Sequence, residues 1–349
     1  MDSLDGGLTP VAAAPDCAVC IANYNGRALL ADCIDSILAQ ESAATVEIIV
    51  HDDASTDDSV VFLREHYPQV RVIVSETNVG FCVGNNRMAA ATRASYLLLL
   101  NNDAALMPGA LASLLTKARS TSDELVLTLP QYDWQSEALV DRGCMLDPSY
   151  NPIPNTAVGE REVAMTIGAC LWIKRTFWNR LGGFPAWMES IGEDLYLCCA
   201  ARLHGAHVIA LNESGYRHWQ GKTFGGNRVH ENVLSSTVRR RRLSERNKTF
   251  TLVTCTPGIA VWPLLAVHLF ALLVEGGVLA FVRRDSSVFR DIYLNVPIEL
   301  RRNRKMLMSV RASNLALRHL GLIRYLQPFR PIPRKLIMLF RYGWPKLTR

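Results

Sequence analysis

Four aspartates fall within residues 51–59, HDDASTDDS, directly behind the apolar run VEIIV. That much negative charge repels phosphate, and suits a site that accepts hydrogen bonds from N–H and O–H groups. Similar polar clusters follow at NYNG (23–26), ETNVGFCVGNNR (76–87) and NNDA (101–104). Glu193 and Asp194 follow Gly192 where a helix should begin, and His218 stands in YRHWQGKTFGG (216–226). Each has an ordinary structural explanation when taken alone. Asn, Asp and Gly are turn residues, Ser55 or Thr56 could cap a helix, acids suit a helix's first turn, and a lone histidine is usually structural. Other chemistries fit poorly. CAVC (17–20) has metal-ligand spacing but no second pair, since the adjacent Cys198 and Cys199 cannot complete a tetrahedral site, so it reads as buried strand. GFCVGNN lacks the spacing of a dinucleotide fingerprint, and no Gly-x-Ser-x-Gly elbow suggests acyl transfer.

The elements that must carry these clusters are legible. CAVCIAN (17–23), VEIIVHD (46–52), VRVIVS (70–75) and SYLLLL (95–100) read as buried strands. Between and after them ALLADCIDSILAQ, TDDSVVFLREHY, NNRMAAATRA and PGALASLLTKA read as helices. This alternation predicts a mostly parallel, doubly wound α/β sheet, whose ligands bind beyond the carboxyl ends of the strands. Four polar loops on one such edge mark a ligand site. With 349 residues, 49% of them hydrophobic, the chain can bury one large domain plus an appendage and is neither disordered nor fibrous. Nine scattered cysteines, and a start without a basic, apolar signal pattern, lead us to expect reduced thiols in a cytosolic compartment.

These motifs, in this order, resemble the family 2 glycosyltransferases, inverting GT-A enzymes that use nucleotide sugars. DDASTDDS is similar to the family's strand-end acidic motif, NND occupies the place of its Asp-x-Asp metal motif, and GEDLYLCCAARLHGAHVIAL (192–211) is similar to its Glu-Asp helix and following strand. NVGFCVGNNR is most like the rhamnosyltransferase branch that builds bacterial cell-surface polysaccharides. The resemblance covers residues 17 to 225 and implies a set of roles. Asp53, assisted by Asp52, would contact the base, accepting a hydrogen bond from the imide N–H of a dTDP- or UDP-sugar, with Asn23 and Asn25 lining the same pocket. Asn78, Gly80, Asn85, Asn86, Asn101 and Asn102 would complete the donor site, and Lys222 with its neighbouring glycines would close over the diphosphate as a lid. Asp57 and Asp58 are left to the start of a helix. Asp103, with His218 as second ligand, would hold Mg²⁺ or Mn²⁺ on the diphosphate. NND departs from the family pattern because Asn101 and Asn102 are neutral. Asp194 would be the general base, with Glu193 and Trp187 at the acceptor.

Charge divides the chain. Residues 1–238 hold 16 Lys+Arg against 27 Asp+Glu, and residues 239–349 hold 22 against 5. We therefore expect a GT-A domain over 1–238, with 1–16 a flexible tail, and a basic, apolar helical region over 239–349. The run PGIAVWPLLAVHLFALLVEGGVLAFV (257–282) approaches a membrane span, but Pro263, His268, Glu275 and Gly276-Gly277 favour interfacial or re-entrant helices over a buried or dimer-forming pair, and either over a true span. The later stretch interleaves Arg and Lys with Leu, Ile, Met, Phe and Trp, as an element at an anionic leaflet would. Nucleic acid is not expected, because the body is acidic and the tail aliphatic. The expected partners are an anionic membrane surface at the cytoplasmic face of the plasma membrane and a polyprenyl-diphosphate-linked saccharide, with a homodimer as the rival use of the tail.

Overall fold

The computed structural model describes residues 13–158, 162–219, 228–230 and 233–348. In chain order the first elements are β1 (Cys17–Asn23), α1 (Arg27–Leu38), β2 (Val46–Asp52), α2 (Ser59–His66), β3 (Arg71–Val74), α3 (Phe81–Ala91), β4 (Tyr96–Asn101), β5 (Ala104–Leu106), α4 (Ala110–Arg119) and β6 (Leu125–Thr128). Short strands follow as β7 (Gln131–Asp133), β8 (Leu139–Asp141), β9 (Cys144–Leu146) and β10 (Pro152–Pro154). Then come β11 (Cys170–Lys174), α5 (Arg175–Leu181), α6 (Glu193–Leu203), β12 (His207–Ala210), β13 (Tyr216–His218), α7 (Val238–Cys255) and α8 (Val261–Arg283).

The main sheet has seven strands in the order β12-β6-β11-β4-β1-β2-β3, all parallel except β11, which runs against both neighbours. The predicted parallel alternation is thus present with one reversed strand inserted. Because side chains alternate along a strand, β1 sends Ala18 and Cys20 into one core and Val19 and Ile21 into the other. The second core is closed by Leu30 and Ile34 of α1 and Leu111 and Leu114 of α4; the first includes Met88 of α3 and Leu195 and Leu197 of α6. All nine cysteines are free and buried, Cys17 and Cys20 among them in β1. A second sheet, β5-β13-β7-β8, stands beyond the end of β4.

The apolar core does not stop at residue 238, where the charge changes sign. Phe250, Leu252, Val253 and Cys255 of α7 belong to the same core as α6, joined by Leu307 and Tyr325. The four arginines 239–242 therefore open a helix packed onto the α/β body. Helix α8 runs unbroken from Val261 to Arg283, since Pro263 falls in its first turn, where no intrahelical N–H is required. Among the described residues it is the one helix long and apolar enough to cross a membrane, and part of it is buried against the rest of the chain. Val261, Leu265, His268, Leu272, Gly276 and Leu279 face inward. Gly276 sits where any Cβ would overlap the Tyr293 ring, so the glycine is what lets Tyr293 close onto the helix. Glu275, an awkward residue for a span, is tied to Lys335 at 2.6 Å, to Arg241 and to Tyr293 at 3.1 Å. The opposite stripe of α8, including Phe270 (71% exposed) and Phe281 (83%), is uncovered.

Candidate active site

Strand register sets the site. Parallel pairing puts Asn23 beside Asp52, and Ala22 beside Asn101, so three polar side chains emerge together at the carboxyl edge. Asn23 Nδ2 donates to Asp52 Oδ2 at 2.9 Å, and Asn102 Nδ2 donates to Asn23 Oδ1 at 2.8 Å, an amide and carboxylate ladder across three strand ends. Asp52 also accepts from the Ser55 N–H at 3.0 Å and hydroxyl at 2.8 Å. Gly26 must lack a Cβ, which would overlap Asn23 and Asn102. Asn25, at φ 48°, accepts the Thr56 N–H at 2.7 Å and so folds the acidic loop against the β1 end. Asp57 accepts from the Ser59 N–H at 3.1 Å and hydroxyl at 2.5 Å, at the entry to α2.

Asp53 accepts from the backbone N–H of Val79 at 2.7 Å and of Gly80 at 2.8 Å. Its carboxylate thereby pins the loop between β3 and α3, where Gly80 takes φ 87°. Asn78 is exposed beside it. The two asparagines of α3 are turned to local structure. Asn85, buried, donates to Phe81 O at 2.9 Å, and Asn86 both donates to Phe184 O at 2.7 Å and accepts from Phe184 N at 3.0 Å. Arg87 donates to Ser75 Oγ at 2.5 Å. Among the described residues the buried Oδ1 of Asn101 has no partner, an acceptor able to take a donor from a ligand. Lys222 and the rest of the expected lid lie outside the described residues.

Asp103 and His218 come together because β13 pairs antiparallel with β5, placing His218 opposite Ala104. His218 Nε2 lies 3.1 Å from Asp103 Oδ1, both residues are buried, and Trp219 N donates to Asp103 O at 2.9 Å. Neighbouring ligands of an octahedral ion with bonds of about 2.1 Å lie about 3 Å apart, so the pair fits two adjacent positions on Mg²⁺ or Mn²⁺. Among the described residues no third His, Cys, Asp or Glu joins them, which suits an ion whose other ligands are water and phosphate oxygens. Near His218, burial lifts the Asp141 carboxyl to about 7, and one of its oxygens has no partner among the described residues.

Glu193 and Asp194 open α6 behind Gly192 at φ 92°. Asp194 accepts the N–H of Gly168 at 3.0 Å and of Leu195 at 2.7 Å, which fixes its carboxylate. Glu193 is buried, and its Oε2 has no partner among the described residues. Burial raises the pKa of both carboxyls, and for Glu193 the adjacent Asp194 raises it further. Trp187 lies at the rim of the core with its ring between Tyr196 and Phe250, at centroid distances of 5.9 and 5.8 Å. Sequence reasoning missed the residues that hold this corner. Asn247 of α7 donates to the carbonyls of Met188 at 2.9 Å, Ser190 at 3.2 Å and Ile191 at 2.7 Å, and Arg246 pairs with Glu189 at 3.1 Å. Nothing in SERNKTF signals contacts to a segment nearly sixty residues away.

An α/β sheet with one reversed strand, an acidic loop at its edge and a carboxylate-led helix facing that edge defines a GT-A fold, followed by a C-terminal helical region. Residues 18–181 match the model of "Glycosyl transferase family 2", which supports the glycosyltransferase resemblance of this stretch. Chondroitin synthase of Escherichia coli is 33% identical over 108 residues, covering 30% of this chain and 16% of that one. The chain aligns with 32% or less of the length of the curated relatives it matches. Among solved structures, TarS of S. aureus in complex with UDP-GlcNAc superposes with a TM-score of 0.53 at 15% identity, covering 86% of this chain and 89% of that one. GalNAc-T7 with UDP, GalNAc and Mn²⁺ superposes with a TM-score of 0.52 at 15% identity, covering 69% and 50%.

Proposed function

We propose that the protein transfers a sugar from a dTDP- or UDP-sugar to a hydroxyl of a polyprenyl-diphosphate-linked saccharide, with inversion at the anomeric carbon. Rhamnose is the preferred sugar, by resemblance, in synthesis of a cell-surface polysaccharide. The observation that carries the reading is the convergence at one sheet edge of the Asn23–Asp52–Asn102 ladder and the Asp103–His218 pair, together with Asp194 fixed by two backbone N–H groups. Asp52 and Asp53 shape the base pocket, and the unpartnered Asn101 Oδ1 accepts from the donor's ribose or sugar hydroxyl. Asp194 takes the proton from the acceptor hydroxyl as its oxygen bonds to the anomeric carbon and the bond to the nucleoside diphosphate breaks. Asp103 and His218 would hold a divalent cation, which neutralises charge on the departing diphosphate. Asn86, both sides of whose amide are engaged, holds the loop at Phe184.

Calorimetric titration with dTDP, UDP and GDP, each with and without Mn²⁺, tests this. One nucleotide binds more tightly with metal, and the metal effect is lost in Asp103→Ala and His218→Ala. Failure of all three nucleotides to bind under either condition would remove the reading.

We place the enzyme at the cytoplasmic face of the plasma membrane, lying on the bilayer through the uncovered face of α8 and the amphipathic helix Arg334–Tyr342. That second helix buries none of its residues, and Phe340 is 87% exposed. The surrounding segment carries the chain's positive charge, which complements an anionic leaflet. Deleting residues 239–349 would remove α7 from the core, so substitution is the cleaner test. Phe270→Glu combined with Phe340→Glu abolishes cosedimentation with anionic vesicles while leaving nucleotide binding intact. Unchanged cosedimentation defeats the membrane reading, and a wild-type dimer that the substitutions dissociate assigns the face to a second copy.

A further inference from the structure

Arg240 reads in sequence as one of four arginines opening a basic tail. In the structure it lies in the first turn of α7, where the Thr237 hydroxyl accepts the Arg240 N–H at 3.1 Å. Asn247 is seven residues further on, two helical turns, and so shares its face. That face is turned to the start of α6. Asn247 donates to the carbonyl of Ile191 at 2.7 Å, and a Cβ on Gly192 would lie 3.4 Å from its own.

At this junction two ionisable groups of opposite type lack a bonded partner among the described residues. The Arg240 guanidinium makes no ion pair or side-chain hydrogen bond among the described residues, and the buried Glu193 Oε2 has none either. Arg240 acts through space on both Glu193 and Asp194, and they on it. The other titratable groups felt there are Cys82 of α3, Cys144 of β9, Cys198 and Cys199 of α6, Tyr216 of β13 and Glu189. Burial pushes the thiols and the phenol up, so they stay neutral. Glu189 is matched by Arg246. Arg240 is therefore the unmatched cation facing the pair among the described residues.

We propose that Arg240 is a positioning residue that keeps the Glu193–Asp194 pair singly protonated, with the proton on Glu193 and the negative charge on Asp194. The asymmetry follows from geometry. Asp194 accepts two formed backbone N–H bonds, which favour its charged form, whereas Glu193 feels the Ile191 and Glu193 N–H groups without a formed hydrogen bond and its Oε2 accepts none among the described residues. A nearby cation lowers the cost of the remaining charge. Without it, both carboxyls would carry protons to higher pH, and the proposed base would be lost.

The inference rests on Asp194 being the base, so its test reads protonation apart from activity. Difference infrared spectroscopy follows the carboxylic-acid band of the full chain between about pH 5 and pH 10, around and above the ordinary carboxyl range. In the wild type a band persists above that range and disappears in Glu193→Gln. In Arg240→Met its titration moves up by about one pH unit, whereas Arg240→Lys titrates like the wild type. The acidic limb of kcat/KM moves with it, so that transfer below the limb falls about tenfold in Arg240→Met and is regained at alkaline pH. An infrared midpoint unmoved in Arg240→Met overturns the proposal, whatever the rate. Should that variant unfold, Arg240→Gln is read in the same way. If the infrared midpoints shift as stated but the wild type transfers no sugar, the functional reading has failed and the charge assignment stands.

Discussion

Asp194→Asn binds nucleotide as the wild type does and loses transfer by a factor of about 10² to 10⁴, the range for a positioned general base. The amide keeps the shape of the side chain, and its oxygen can still accept one of the two backbone N–H bonds that now hold Asp194. What it cannot do is take a proton from an attacking hydroxyl. The loss falls on kcat, because the group acts on the reacting atoms rather than on the nucleotide. Assay of initial rates at saturating donor, beside calorimetry of nucleotide binding, separates the two effects. A variant retaining more than about a tenth of wild-type kcat would remove Asp194 from the role of base.

Glu245→Ala destabilises the fold by about 3–5 kcal/mol, the cost of breaking a buried ion pair from one side. Glu245 is 1% exposed and lies 3.2 Å from Arg241, 3.0 Å from Lys248 and 2.9 Å from Lys335. Removing it leaves three cations around a buried gap, with Glu275 the remaining close carboxylate partner of Arg241 and Lys335. Burial already holds the Lys248 ammonium down to about 8, and Lys248 loses the charge that opposes this. The pH dependence has a definite sign. Although burial opposes ionisation, the cations Lys248, Lys335 and Arg241 hold the Glu245 carboxyl well below its ordinary value. Its contribution is complete above the unfolded-state pKa and disappears as pH falls through the depressed folded-state value. Urea denaturation at neutral pH should show the loss as a lower midpoint at unchanged slope. A midpoint within error of the wild type would mean that the network relaxes around the missing charge.

The second result bears on function because this network joins α7, α8 and the amphipathic helix Arg334–Tyr342. The same α7 carries Asn247 and Arg240 to the start of α6. The surface proposed to meet the membrane and the carboxylates proposed to do the chemistry are thus braced by one helix. None of this is visible locally. SERNKTF gives no sign that Glu245 is buried or that Asn247 reaches three carbonyls of another segment.

The sheet edge was far more legible. Runs such as CAVCIAN and VEIIVHD are apolar on both faces, and only a strand covered on both sides tolerates that, so β1 and β2 stand where the pattern puts them. The polar residue ending each run then has to emerge at the carboxyl edge, which is why Asn23, Asp52 and Asn101 could be named together. Individual side chains were less legible. Asn85 and Asn86 look like ligand-binding amides, but Asn86 is committed to the backbone at Phe184, and no short-range pattern distinguishes an amide facing solvent from one facing a distant carbonyl. The reversal of β11 was equally hidden, because an apolar run does not encode its direction.

By its own periodicity the amino-acid sequence determined the alternation of strands and helices, the edge on which the polar clusters emerge and the separation of acidic from basic halves. These depend on neighbours within a few residues, where hydrophobic burial and turn chemistry act directly. Tertiary structure alone decided that the helix opening the basic half packs into the core, that Glu275 of the apolar helix is paired, and that Arg240 faces Glu193 and Asp194. Such pairings depend on groups separated by tens of residues, and burial supplies the low dielectric in which charge has to find charge.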